Sequence, residues 1–402
     1  MNFGAILCVL AAALGLWLTA APLAWGQDMT VENPTPQGLQ DWLAGFRARA
    51  LAAGITVATL DRTLPQISFR PDVVERDRSQ DEFTKTVWDY LDKAVSDDRI
   101  AAGQKALQNY AGLLDRIEAR YPVDRRIVLA IWGLESAYGQ VRGDIPVLDA
   151  LATLSYDARR GEFFEGELIA ALRIVQGGAV NPADFVGSWA GASGHTQFMP
   201  TSVLAVAVDF DGGGLNLWSD DPADGLASAA AYLAKAGWVT GLPWGVEVAL
   251  PAGFDVGLAG GRTQRPMAAW RALGVKAALP EDSWAALLLP AGVRGPAFLV
   301  TDNFAAIEAY NKADAYVIAV GHLADRIKGG AAFRHGWPRD LRVLTLAERV
   351  EMQQHLLDAG VYAGEADGKI GPLTIGAVKE FQRKLGLVPD GYPSLEVLMR
   401  LR

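Results

Sequence analysis

Cysteine is almost absent from this chain: among 402 residues there is one, Cys8. Histidine is nearly as scarce, with four copies, and His355 stands alone in its segment, which argues against a metal hydrolase. Positive charge is in deficit. Lys and Arg number 37 against 46 Asp and Glu, giving a formal net charge of −9, a balance that argues against a nucleic-acid partner. The first 27 residues contain no Asp, Glu, Lys or Arg at all. Residues 4–24 are instead almost wholly apolar and end in small residues, which predicts a secretory leader over 1–26 with cleavage near Ala24-Trp25-Gly26. An uncleaved membrane anchor is the alternative, because the run is nearly long enough to span a bilayer. Cys8 follows the large Leu7 inside the apolar stretch and is no lipid-attachment site. Removing the leader leaves no cysteine, hence no disulfide and no thiolate nucleophile, and an exported protein of this kind belongs in the periplasm.

Low-complexity tracts and long-period repeats are also missing, and the length predicts two or three domains. From Thr35 to about Ala119 the periodicity is helical: Leu39, Leu43 and Phe46 recur at three- and four-residue spacing, as do Phe83, Val87 and Leu91. Helical signals continue around 125–136, 162–176 and 224–236, and return over 303–328. Residues 240–300 read as short strands between Gly/Pro turns. The segment FRHGWPRDLR (333–342) reads as a short linker. Beyond it lies a compact unit with its own apolar helices, VEMQQHLLDAG and TIGAVKEFQRKLG. The expected layout is a leader over 1–26, a main domain over 27–340 with its β-rich part near 240–300, and a small helical domain over 341–402.

Glu135 is the one charged side chain between Arg126 and Arg142. It ends the run IVLAIWGLESAYG, in which Ile127, Ile131 and Leu134 share one helical face. Burial disfavours a charged carboxyl, so its pKa should rise toward the range where a general acid works at neutral pH. The alternative is a helix-end carboxylate paired with an arginine such as Arg142. Gly139 can end the helix and open space beside Glu135. Further on, SWAGASGHTQFMPTS (188–202) combines small residues with uncharged hydrogen-bonding groups, Ser188, Thr196 and Gln197, a shelf fit for hydroxyls and amides. The competing reading is a tight helix–loop packing motif. His195 looks like a base, yet a lone histidine among small residues is more often structural.

The segment around Glu135, the run SWAGA-G-x-x-QFMP-[ST]-S and YNKADAYVIAVGHLADRI (310–327) together resemble the MltB-type lytic murein transglycosylases, over roughly residues 36–340. The last sixty residues resemble the small helical peptidoglycan-binding domain through Asp367-Gly368, Gly371, Thr374, Ala377-Val378, Phe381-Gln382 and Asp390-Gly391. The resemblance implies an α+β, mostly helical, lysozyme-like catalytic domain with a small β-rich subdomain and a C-terminal three-helix wall-binding domain. It implies cleavage of the bond between N-acetylmuramic acid and N-acetylglucosamine without water, one carboxyl, Glu135, serving first as acid and then as base. The product would be a 1,6-anhydromuropeptide.

Supporting roles are implied by the same resemblance. Ser188 and Gln197 would hydrogen-bond the acetamido and ring oxygens, and Phe198 and Met199 would line the wall. Tyr90, Tyr232, Tyr310 and Tyr316 match tyrosines around the cleft, with Asn311 beside them. Composition alone makes each tyrosine a core residue more readily than a ligand, and the matched context reverses that for Tyr310 and Tyr316 and, less firmly, for Tyr90. Arg159 and Arg160 would pair with stem-peptide carboxylates, or are ordinary surface arginines. No cofactor is implied for the chemistry. The loop DFDGGGLNLWSD (209–220) resembles a calcium loop found in some members: Asp209, Asp211, Gly214 and Asp220 fit, Gly213 does not, and Asp224 is a further candidate ligand. The alternative there is a Gly-rich turn stiffened by Asp caps. Glycan strands and stem peptides are the expected partners of a monomer, and a wall-synthesis or division complex is a further candidate. The rivals are a hydrolytic muramidase and a non-catalytic wall-binding scaffold.

Overall fold

The computed structural model describes residues 30–79, 85–260 and 262–402. The predicted leader, Cys8 and Phe83 lie outside these residues, and among the described residues no helix is long and apolar enough to cross a membrane. The chain opens with α1 (Pro36–Ala52), α2 (Val57–Thr63), α3 (Pro71–Ser79), α4 (Val87–Ala94), α5 (Asp97–Asn109) and α6 (Ala111–Arg120). In α1 the Thr35 hydroxyl accepts the Gly38 amide, Pro36 occupies the first turn, and Leu39, Leu43, Phe46 and Ala50 face inward, the spacing of an amphipathic helix.

Then comes α7 (Arg125–Ser136), with Ile127 to Gly133 buried without a break. A helix apolar all round must be enclosed, and α7 is packed by α5, α11 (Ala223–Lys235) and α14 (Asp314–Ile327). It forms one core together with the sheet residues Phe298 and Val300. A second core gathers α1, α2, α8 (Val147–Asp157) and α9 (Gly161–Gln176). Tyr310 packs against both cores. The α8 helix is absent from the sequence expectation. The two-residue strand β1 (Ile145–Pro146) leads directly into it and pairs with β2 (Val186–Gly187) at the start of the small-residue run.

Residues 240–300 form the expected β-rich part. Strands β3 (Gly245–Val248), β4 (Arg265–Pro266), β5 (Trp284–Leu288) and β7 (Ala297–Val300) make an antiparallel sheet in the order β3-β7-β5-β4. Helix α12 (Met267–Ala272) covers it through Met267 and the fully buried Trp270, and β6 (Pro290–Val293) precedes the turn into β7. The helix expected over 303–328 is two helices, α13 (Asp302–Tyr310) and α14. Asn311 is extended between them and its side chain accepts the Ala313 amide, an Asx turn that breaks the helix.

Segment 333–342, read as a linker, is pinned. The Phe333 ring stacks on His322 at 3.8 Å, Trp337 meets Trp88, and Arg339 grips Asp92 with two hydrogen bonds. The C-terminal unit comes next as α15 (Leu346–Asp358), α16 (Pro372–Lys384) and α17 (Leu395–Leu401) around Met352, Leu356, Val378 and Leu398. It does not hang free: the buried Lys379 amine donates to the Gly257 and Ala259 carbonyls of the β-rich part.

Candidate active site

The α7 helix delivers Glu135 in its last turn. The helix stops at Ser136, earlier than Gly139, because Ala137 and Tyr138 already take left-handed φ values of 49° and 59° before Gly139 at 85°. Two consecutive non-glycine residues in that region cost on the order of 1–2 kcal/mol each, so the surroundings must hold them. They do. The Ser136 hydroxyl accepts the Gly139 amide and donates to the His195 carbonyl at 2.6 Å, while the Tyr138 hydroxyl donates to the Arg99 carbonyl.

Tyr316, from the first turn of α14, donates to Glu135 Oε1 at 2.6 Å. Glu135 is half-buried as a residue, but its carboxyl end is shielded. Burial pushes its pKa up to about 7, and the Tyr316 hydrogen bond offsets part of that rise. No neighbouring charge contributes to the shift. Arg142, the salt-bridge partner open in the sequence, turns instead to Asp220 and to the carbonyls of Trp218 and Ser219. Among the described residues no cation pairs with Glu135. A carboxyl near neutral pKa, without a counter-ion and with a hydroxyl fixing one oxygen, can give up a proton and take one back.

The small-residue run forms the facing shelf. Ser193 and Phe198 exchange backbone hydrogen bonds, and Ser188 exchanges them with Ala192 and Gly191. Gln197 takes φ 49°, and its amide donates to the carbonyls of Arg142 and Gly194. The Ser188 hydroxyl accepts the Ala192 amide. Phe198 is buried, with its ring 5.5 Å from Tyr310 and 5.9 Å from Tyr232, and Met199 packs beside it. The Tyr310 hydroxyl donates to the Thr196 carbonyl at 2.6 Å, and that of Tyr232 to the Ala309 carbonyl. Tyr310 and Tyr316 are held well above the usual tyrosine range, first by burial and then by the Glu135 charge. Tyr90 adds a smaller contribution at Tyr316. Glu135, Tyr90, Tyr310 and Tyr316 therefore share one neighbourhood.

Other sequence candidates are engaged elsewhere. Arg159 and Arg160 both bond the buried Asp77; burial pulls that carboxyl upward, and the two guanidiniums bring it below the usual range. The Asn311 side chain serves its own turn. His195 is a bridge: Trp132 of α7 donates to its Nδ1 at 3.2 Å, and its Nε2 donates to the Ser219 carbonyl at 2.9 Å. With both ring nitrogens occupied, and burial depressing its pKa, this imidazole is a neutral cross-link and not a free base.

Two residues escape the sequence reading. Buried Glu167 of α9 accepts the Thr201 amide and hydroxyl, fixing the start of α10 (Pro200–Val206) just after Met199. Arg262, at φ 49°, donates to Glu308 of α13 and to Asp314 of α14, with its guanidinium 4.7 Å from the Phe304 ring. It clamps the two helices that carry Tyr310 and Tyr316. A carboxylate two positions before each tyrosine was the available signal, but the arginine that joins them lies far upstream in the chain. Cavities of about 300 and 250 Å³ lie elsewhere, the first against Phe254 and His335, the second against Trp238 and Asp325; neither is lined by Glu135.

In the 209–224 loop, carboxylate oxygens of Asp209, Asp211 and Asp224 lie within 4.8 Å of one another. Asp220 is not among them: its exposed side chain turns to Arg142, because the loop spreads through Leu217 into the core before reaching it. Asp224, from the first turn of α11, takes its place while accepting the Phe210 and Asn216 amides. Three clustered acids, two of them exposed, fit a hard cation completed by water.

Comparison with known proteins identifies the family. Residues 38–325 match the transglycosylase SLT domain family, and residues 345–401 the peptidoglycan binding domain family. The membrane-bound lytic murein transglycosylase B of Escherichia coli K12 is 35% identical over 248 residues, covering 59% of this chain and 66% of that relative's length. The structure of SltB3 from Pseudomonas aeruginosa in complex with NAG-anhNAM-pentapeptide aligns at TM-score 0.88 and 46% identity, over 91% of this chain and all of that one. Escherichia coli Slt35 in complex with calcium aligns at TM-score 0.63 and 30% identity, over 77% of this chain and 98% of that one. The fold is accordingly the mostly helical, lysozyme-like α+β arrangement with a C-terminal helical domain.

Proposed function

Because the chain belongs to the transglycosylase SLT domain family, we propose that it is a peptidoglycan lytic transglycosylase in which Glu135 is both acid and base. The observation that carries the reading is the Glu135 carboxyl, pushed to about 7 by burial, anchored by Tyr316 and unpaired with any described cation. Protonated Glu135 gives its proton to the oxygen bridging N-acetylmuramic acid and N-acetylglucosamine. The C1–O bond breaks, and the positive charge left at C1 is stabilised by the sugar's own acetamido oxygen. Carboxylate Glu135 then takes the proton from the C6 hydroxyl as O6 bonds to C1. Glu135 is protonated again, water is not consumed, and the product carries a 1,6-anhydro ring.

In this reading Ser188 and Gln197 face the sugar, and Phe198 and Met199 line a wall continuous with Tyr232 and Tyr310, with Tyr90, Tyr316 and Asn311 beside them. Tyrosine rings stack on sugar faces and their hydroxyls fix polar groups. Arg159 and Arg160, both bonded to Asp77, meet stem-peptide carboxylates in this reading. The chain acts in the periplasm as a monomer on glycan strands, over a catalytic unit of 27–340, while residues 341–402 hold it to the wall. Asp209, Asp211 and Asp224 bind a structural calcium ion that takes no part in the chemistry.

Mass spectrometry of muropeptides released from purified sacculi, before and after borohydride reduction, tests the reading. Non-reducible anhydro ends that vanish with Glu135→Gln are expected. Reducible ends would make the chain a hydrolase. Retention on sacculi without any release would make it a scaffold.

A further inference from the structure

The last turn of α7 is held on both sides of Glu135 by one buried residue of the shelf, His195. Before the carboxyl, the Trp132 indole N–H donates to His195 Nδ1 at 3.2 Å. Directly after it, the Ser136 hydroxyl donates to the His195 carbonyl at 2.6 Å. The Trp132 carbonyl also accepts the Tyr138 amide, and the Ser136 hydroxyl accepts that of Gly139. The left-handed turn behind Glu135 therefore closes on the same residues that His195 grips.

The imidazole has little room. A Cβ at Gly139 would come within 2.8 Å of His195 Nδ1, and one at Gly225 within 3.0 Å of His195 Cβ. Its far edge is fixed by a chain of hydrogen bonds. Nε2 donates to the Ser219 carbonyl at 2.9 Å, the Ser219 amide donates to Asn216 Oδ1 at 3.0 Å, and the Asn216 amide donates to Asp224 Oδ2 in the first turn of α11. An indole N–H only donates and a backbone carbonyl only accepts, so these partners select the neutral ring with its proton on Nε2. The next residue extends the junction: Thr196 donates its hydroxyl to the Gly225 carbonyl and accepts the Tyr310 hydroxyl at its own carbonyl.

We propose that His195 is a positioning residue for the acid–base carboxyl: its imidazole, wedged between Trp132 and Ser219, sets the backbone that carries Glu135 against the Tyr316 hydroxyl. The inference deepens the transglycosylase reading and rests on it. Tyr316 fixes the end of the Glu135 side chain from α14, but that bond does not fix the helix end from which the side chain springs. Ala137 and Tyr138, both at positive φ, make that end costly to hold. A displacement of about 1 Å at a reacting group costs on the order of a hundredfold in rate, so a residue that pins the turn governs turnover more than sugar binding.

The test compares full-length His195→Leu and His195→Gln with the unmodified chain on a soluble peptidoglycan tetrasaccharide, anhydro product being counted by mass spectrometry. Leucine fills much of the space and makes neither hydrogen bond; glutamine carries both an acceptor and a donor. His195→Leu should lower kcat about tenfold or more with KM changed by less than about twofold, and His195→Gln should recover most of the loss. Combined with Tyr316→Phe, His195→Leu should cost less than the product of the two single effects, because both act on one carboxyl. If His195→Leu does not fold, Trp132→Phe, which keeps an aromatic ring and removes the indole N–H, takes its place with the same expected split. An unchanged kcat in the folded variants, an equal loss with leucine and glutamine, or full additivity with Tyr316→Phe overturns the proposal, while anhydro product from the unmodified chain still supports the transglycosylase reading. No anhydro product from the unmodified chain would end that reading, and this inference with it.

Discussion

Tyr316 reaches across 181 positions of sequence to donate its 2.6 Å hydrogen bond to Glu135. The bond favours the carboxylate, and burial favours the acid; burial wins, leaving Glu135 near 7. An acid at that value is protonated in a useful fraction of molecules at neutral pH and is still basic enough to recover a proton in the second step. Tyr316→Phe removes the influence that opposes burial. The alkaline limb of the pH–rate profile, which reports protonated Glu135, should therefore move to higher pH by about one unit, the size expected for a hydrogen bond to a charged group. A limb that stays in place or moves down would detach Tyr316 from the proton chemistry.

Glu135→Gln should lower turnover by about a thousandfold or more, the scale of general acid–base catalysis, and should also change stability in a pH-dependent way. A folded-state pKa raised from 4.5 to about 7 makes stability fall as pH rises across that interval. The glutamine variant has no carboxyl to ionise. Its melting temperature should match that of the unmodified chain near pH 4 and exceed it at pH 8, where ionised Glu135 costs at most about 3 kcal/mol. An equal difference at both pH values would mean that the carboxyl is not buried as described.

Arg262→Ala should loosen both tyrosine-bearing helices without touching substrate. The clamp joins Glu308 and Asp314, each two positions before a tyrosine of the site. The expected result is about a tenfold fall in kcat with little change in KM, together with a displaced alkaline limb, because Tyr316 no longer holds Glu135 in register. Partial recovery in Arg262→Lys would fit a positioning charge. A purely structural role would lower the melting temperature and leave the pH profile alone.

Much of this architecture was legible because it rests on local rules. Glu135 stood out by being the lone charge between Arg126 and Arg142 in an apolar run, and the Leu39-Leu43-Phe46 spacing marked the inward face of α1. The α13–α14 break was not legible, since Asn311 acts through a turn hydrogen bond inside an otherwise continuous helical pattern. Nor was the Arg262 clamp, or the Glu167 cap on α10, because each joins elements distant in the chain. The likeness of the two Asp-Gly turns in the C-terminal unit hid for another reason: the Gly368 and Gly391 amides are held by Gln353 and Gln382, while the intervening loops differ in length.

Calcium should raise the melting temperature if Asp209, Asp211 and Asp224 hold it, by mass action on the folded state. Millimolar calcium followed by chelator in a thermal scan is the check. Asp209→Ala should abolish the response, and Asp220→Ala should leave it intact, since Asp220 is bound to Arg142. A transition unmoved by either calcium or chelator would leave the loop metal-free.

Ending the chain after Arg342 separates the two units, and the docking contacts decide the consequences for each. The Gly257 and Ala259 carbonyls lose the Lys379 amine, and the Val293 amide loses Asp390. Water can reach these groups once the C-terminal unit is gone, so the penalty is smaller than for a buried orphan, and the catalytic unit should stay folded with a melting temperature lower by a few degrees. Retention on sacculi should drop sharply while cleavage of soluble glycan fragments persists, because the Glu135–Tyr316 pair and its clamp lie wholly within the retained residues. Lys379→Met in the full chain separates docking from binding: it leaves the C-terminal unit in place and removes only the ammonium. Loss of the docked state with sacculus retention preserved is the expected outcome, and loss of retention would mean that the wall is gripped only when the two units are held together.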